Sequence, residues 1–219
     1  ATEMVKFGDE IPEPESAPTK EHYDFKGWNI TYDKMPAMNI TVEPIFERIP
    51  VKLIPMAGST TVIDRDINVI TGLREYMTSE DILRNSYLDV EGDGFFTITP
   101  VASKQYGTGT KVELYDNIDP TTPIETYVIV VYGDINGDSA VQAVDSTYAD
   151  DEGLMVTNWS EEFIYDASGN QIANPNYNPY KVMAADLNGD GIIDATDATI
   201  IGNASIFMFK IDQVTGRPA

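Results

Sequence analysis

Two stretches of the chain put oxygen-bearing side chains on alternate residues: "DINGDSAVQAVD" at 134–145 and "DLNGDGIIDATD" at 186–197. The first offers Asp134, Asn136, Asp138, Gln142 and Asp145; the second offers Asp186, Asn188, Asp190, Asp194 and Asp197. In each these are positions 1, 3, 5, 9 and 12, and the two starts lie 52 residues apart. A hydrophobic core has no use for such a pattern. A calcium ion does: it takes six to eight oxygens at roughly 2.3–2.6 Å, and alternate side chains of a tightly curled loop converge on one point. Position 7 supplies a backbone carbonyl, from Ala140 or Ile192, and position 9 often acts through water. Two calcium ions are therefore expected.

The copies differ at position 6, where the chain must turn sharply. Gly191 suits that turn and Ser139 suits it less, so a strained or weaker first site is expected. Position 8 is apolar in both copies, Val141 and Ile193, and these residues are expected to pair as a short β-bridge between the loops. Each loop should lead into a helix, the first at about 144–156 and the second at about 195–209. Gly202-Asn203 falls inside the second helix and should weaken it. The stretch between the repeats is rich in Asn, Pro and Tyr and reads as an ordered loop or small hairpin. Like charges crowd each loop, so calcium should be part of the fold of 132–219, while 50–131 folds without it.

The spacing matches a calcium loop of the EF-hand type. The doubled motif, with Asp and not Glu at position 12, resembles the type I-like dockerin, the duplicated F-hand module of cellulosome-type assemblies. The resemblance covers the last third of the chain. It implies a cohesin module of a scaffold or anchoring protein as the partner. It also implies a secreted, bacterial cell-surface-associated setting in polysaccharide degradation. The family reads its partner through loop positions 10 and 11 and the helix that follows. Here those positions are Ala143-Val144 and Ala195-Thr196, and the helices add Tyr148, Ile200, Ile201 and Phe207. Only Thr196 supplies the hydroxyl usual at these positions, which implies a divergent cohesin. The second repeat is expected to carry more of the binding, because the first helix bears Asp150, Asp151 and Glu152.

Composition narrows the other possibilities. Against 36 Asp+Glu there are 14 Lys+Arg, a net charge of −22. A field of that sign repels nucleic acid and attracts cations. There is no cysteine, which excludes disulfides and thiolate metal sites. The single histidine, His22, has no neighbours that suggest catalysis, and no nucleophile–base set is present, so an enzyme is not expected. No membrane span appears, and a monomer is expected in the absence of partner.

Three regions separate by texture. Residues 1–49 carry short apolar runs ("MVKF", "YDFKGW", "NITVEPIFERI") that read as strands between Pro-containing turns. Pro18-Thr19-Lys20, Tyr23, Phe25, Gly27-Trp28 and a closing strand from Ile40 to Phe46 resemble an internalin-type β-grasp repeat, here partial. Trp28 reads as a residue under that sheet, with sugar stacking as the lesser alternative. Residues 50–131 read as a supporting module of four strands, at "STTVID", "FFTITPV", "TKVELYD" and "ETYVIVVYG", with one helix starting at Thr78. This unit resembles the X-like module that precedes dockerins. The expected fold class is thus α+β and multi-modular: a partial β-grasp unit, a small α+β or β-rich module, and an α-helical dockerin at 132–219 with two EF-hand-like loops. A calcium-stiffened adhesin stalk without a cohesin partner is the alternative. In either case the parent protein is expected to continue upstream of Ala1.

Overall fold

The structure is a computed structural model that describes residues 4–12 and 16–219. The chain is mostly β-rich. Its eleven strands form a five-stranded sheet and three two-stranded ones among the described residues. Only four short helices accompany them, of 7, 11, 7 and 11 residues. This overturns the expected fold class: 132–219 is not an α-helical domain. Each of its two loops runs nine residues before its helix begins at Ala143 or Ala195, and its middle folds as a hairpin.

Near the start, β1 (Tyr23–Trp28) pairs antiparallel with β2 (Pro44–Arg48). The closing strand therefore lies later than the expected 40–46, because Pro44 can only begin it. "MVKF" forms no strand, and Met4 and Phe7 are exposed. Phe25 stands between Trp28 and Phe46, with ring centroids 5.3 and 6.0 Å away. Trp28 is only half-buried in this cluster. A two-stranded sheet is marginal on its own, and Arg48 ties this one down. Its guanidinium grips Asp116 of the next unit with two nitrogens, Nη2 at 2.7 Å, and also donates to the Asp93 carbonyl.

That ion pair gives a pH prediction. The Arg48 hydrogen bond first, then the Ile118 N–H, hold the Asp116 carboxyl at about 2, below its ordinary 3.8. The group is depressed on folding, so its contribution is complete above 3.8 and is lost as pH falls through about 2. Trp28 emission should therefore stay constant down to that range. Arg48→Ala should reproduce the acid spectrum at neutral pH and speed proteolysis between β2 and the next strand. An unchanged spectrum and cleavage rate would refute the tether.

The second unit is built on the sheet β4-β5-β9-β8-β7. Its strands are β4 (Val62–Asp64), β5 (Val69–Thr71), β7 (Gly94–Thr99), β8 (Lys111–Asp116) and β9 (Asp119–Ile129). All pairs are antiparallel except β5–β9, which is parallel. β3 (Lys52–Pro55) and β6 (Leu88–Glu91) form a separate antiparallel pair. In β8, Val112 and Leu114 point inward while Lys111 and Glu113 point outward, the alternation of a half-buried strand. Helix α1 (Glu80–Ser86) starts one residue later than expected: the Ser79 hydroxyl, not Thr78, accepts the Asp81 N–H. Leu83 of α1 joins Leu53, Ile70, Leu88, Leu114 and Tyr127 in one core.

A second core is built from 132–219. It gathers Tyr132, Ile135, Val141, Ala149, Leu187, Ile193 and Ile201 with Trp159. Helices α2 (Ala143–Gly153) and α4 (Ala195–Ser205) pack on each other, while β10 (Phe163–Tyr165) and β11 (Gln171–Ala173) make a hairpin between the repeats. Glu152 latches that insertion. Its buried carboxylate accepts the N–H groups of Trp159 and Ser160 and the hydroxyls of Ser160 and Thr157. Helix α3 (Pro179–Ala185) then returns to the second unit, where Ala184 meets Val69 and Val130. The tail closes the same seam. Gln213 bonds both the N–H and the C=O of Tyr132, and its own carbonyl accepts the Gly72 N–H.

Candidate metal centres

Both twelve-residue loops fold with one hydrogen-bond pattern. The position 1 carboxylates, Asp134 and Asp186, each accept the N–H of position 4 on Oδ1 (2.8 and 2.6 Å) and of position 6 on Oδ2 (3.0 and 3.1 Å). Asn136 and Asn188 accept from position 5, and their amides donate to its carboxylate. Asp138 and Asp190 accept the N–H of position 7, on Ala140 and Ile192. The last aspartates, Asp145 and Asp197, accept the N–H groups of positions 2, 3 and 9. Eight bonds thus recur at an interval of 52 residues. They tie the side chains of positions 1, 3, 5 and 12 to the backbone of each loop.

The donor set is mixed. Among the described residues, no three His, Cys, Asp or Glu side chains by themselves form a metal-binding group. Each loop carries three Asp, an Asn amide oxygen and a position 7 carbonyl within twelve residues, the oxygen types that a hard cation such as calcium takes. The position 9 residues stand apart. The Asp194 carboxylate caps α4 by accepting the Thr196 N–H at 2.7 Å, and that bond holds its pKa below the ordinary value. Gln142 is exposed.

Electrostatics favour a bound cation. Asp134, Asp145 and Asp197 are fully buried, and none of the ion pairs among the described residues involves them. Burial pushes the Asp134 carboxyl up to about 7 and that of Asp145 up to about 6, against the backbone N–H groups that favour the charge. Buried carboxylates without a cation are costly, and a coordinated ion removes that cost.

The environments of the loops differ in a way the sequence does not display. Loop 1 is buried or half-buried from Asp134 to Val141, while Asn188 to Ile192 of loop 2 are exposed. Ser139, expected to strain its loop, does take a left-handed φ of 72°, as Gly191 does at 82°. Its hydroxyl, however, accepts the Met77 N–H at 2.8 Å, so a glycine there would forfeit a buried bond. The expected β-bridge between Val141 and Ile193 is absent among the described residues. Val141 donates its N–H to Glu75 of the second unit instead, and the two side chains meet only in the core.

The helices end at 153 and 205, earlier than expected, and for the same reason. The N–H of Val156 returns to the Asp151 carbonyl and that of Met208 to the Asn203 carbonyl, which wraps each C-terminus in a Schellman turn. The left-handed residue of that turn is usually Gly. Here it is Met155 (φ 56°) and Phe207 (φ 62°). Each turn exposes an apolar triplet, Leu154-Met155-Val156 and Ile206-Phe207-Met208, with Met155 87% and Phe207 81% accessible. Of the expected partner contacts, Ala143, Val144, Tyr148, Ala195, Thr196 and Phe207 are exposed and Ile200 is half-buried. Ile201 is completely buried under α2 and belongs to the core. Gly202 does not break α4; it lets the helices approach, where a Cβ would touch the Ser146 hydroxyl.

Comparison of the chain with known protein families, with curated proteins and with solved structures returned no match. Among the described residues, no helix is long and apolar enough to cross a membrane.

Proposed function

We propose that this chain is a calcium-dependent binding module of the dockerin kind, which docks a larger secreted protein onto a cohesin module of a scaffold or cell-surface anchor. The observation that carries the reading is the set of eight hydrogen bonds repeated at a 52-residue interval around two all-oxygen loops. The exposed apolar triplets that end α2 and α4 supply surface of the kind that binding sites use. On this reading calcium sets the loops and the loops set the helix ends that meet the partner; no catalytic step is involved. The test is capture on immobilised cohesins from a cellulosome-type scaffold, with calcium and with excess chelator. Calcium-dependent retention is the expected result. If the protein binds calcium but no cohesin retains it, the adhesin-stalk alternative takes over; the tethers at Arg48 and Gln213 would suit such a stalk.

A further inference from the structure

Loop 1 is completed by residues that precede it by 26 to 66 positions. The Thr108 N–H donates to Asp134 Oδ2 at 3.0 Å, on the same oxygen that accepts from Ser139. Tyr76 and Met77 donate their N–H groups to the carbonyl and hydroxyl of Ser139, at 2.5 and 2.8 Å. The Glu75 carboxylate takes the Val141 N–H at 3.1 Å. Gly107 seats the loop: a Cβ there would overlap the Asp134 carboxylate and the Ser139 backbone. Nothing comparable covers loop 2 among the described residues. Its neighbour from outside the repeat is the exposed Arg217, which lies over Gly189 and donates to the Asp186 carbonyl at 3.3 Å. The two loops are alike inside and unlike outside.

Resting on the two-ion reading above, we propose that segments 75–77 and 107–108 form a lid on the first calcium site. The first ion is then held jointly by the two units, while the second opens to solvent. The physical consequence is kinetic. An ion leaves loop 2 by local fraying of exposed residues. It leaves loop 1 only when the lid contacts break together, which is a sub-global opening. Glu75 adds a carboxylate beside loop 1 from outside the twelve-residue motif, and a nearby negative charge favours a bound cation. The converse follows from linkage: filling loop 1 must tighten the lid, so the first ion stiffens the joint between the units and the second does not.

The experiment is calcium release from the full chain after rapid mixing with a fluorescent chelator. Two phases of equal amplitude are expected, separated by at least about tenfold in rate, roughly 1.4 kcal/mol of barrier. Gly107→Ala, far from the motif in sequence, should speed the slow phase by about tenfold and leave the fast phase unchanged. Glu75→Gln keeps the hydrogen-bond acceptor and removes the charge. It serves as the milder variant if Gly107→Ala does not fold, and should also speed the slow phase alone. A single phase for both ions, or a slow phase that neither variant changes, would overturn the lid. Failure of the wild-type chain to release two ions would instead strike the calcium reading on which the lid rests.

Discussion

Removing calcium is expected to unfold residues 132–219 and to leave the sheet core of 50–131 standing. A ligand present at 1,000 times its Kd stabilises the folded state by about 4 kcal/mol, so two ions supply about 8 kcal/mol. A whole domain is stable by only about 5–15 kcal/mol. Without the ions, the second core must also bear the buried charges of Asp134, Asp145 and Asp197. The thirteen buried residues of the first core use none of these groups. Hydrogen exchange in excess chelator should therefore release the amides of both loops, α2 and α4. The amides of β5, β8 and β9 should stay protected. The amides of Tyr76, Met77 and Thr108 should lose protection with the loops, since their acceptors are loop atoms. Titration of the stripped chain should restore protection at two calcium ions. Full protection throughout the chain in chelator would refute the coupling.

The second large effect concerns the helix ends. A bulky residue in the left-handed region costs roughly 1–2 kcal/mol, and Asn tolerates that region well. Met155 and Phe207 both bear this cost with their side chains in solvent, a combination that folding alone does not reward. Strain of this kind persists where function requires the side chain. Phe207→Asn should therefore raise the melting temperature slightly and lower cohesin affinity by about a hundredfold, the loss of one aromatic anchor. Met155→Asn should do the same with a loss of about tenfold. Both variants should still bind two calcium ions. The larger loss is assigned to the second repeat because Phe207 is the aromatic member of the two and Thr196 the only hydroxyl among loop positions 10 and 11 of both copies. Ile201, buried in the core, adds nothing to that face. If Met155→Asn is the weaker binder and wild-type affinity falls steeply with salt, the acids of α2 form the contact face and the assignment is reversed.

Much of the candidate site was legible in the sequence, because the folding of such a loop is a local property. Both loops bond their side chains to backbone N–H groups within the same twelve residues, so Asp134 to Asp145 and Asp186 to Asp197 could be read without a fold. Strands with alternation or long apolar runs, such as β8 and the end of β9, were readable for the same reason. The three- and four-residue strands β3 and β5 were not. "VIT" at 69–71 is buried at every position, shows no alternation, and is a strand because β4 and β9 lie on either side of it. The helix ends were misplaced because apolar residues at 206–208 look like a continuing helical face, and a Schellman turn at Phe in place of Gly gives no sequence signal.

By itself, then, the sequence determined two loops of alternating oxygen-bearing side chains, their spacing and the helices they open. Only the tertiary structure decided that these loops are unequal. Glu75, Met77, Gly107 and Thr108 carry no motif, and their contacts with loop 1 span 26 to 66 residues of chain. Pairings of that length are set by how two cores meet at Val69, Val130 and Ala184, and a short-range pattern of residue types holds no record of where cores meet.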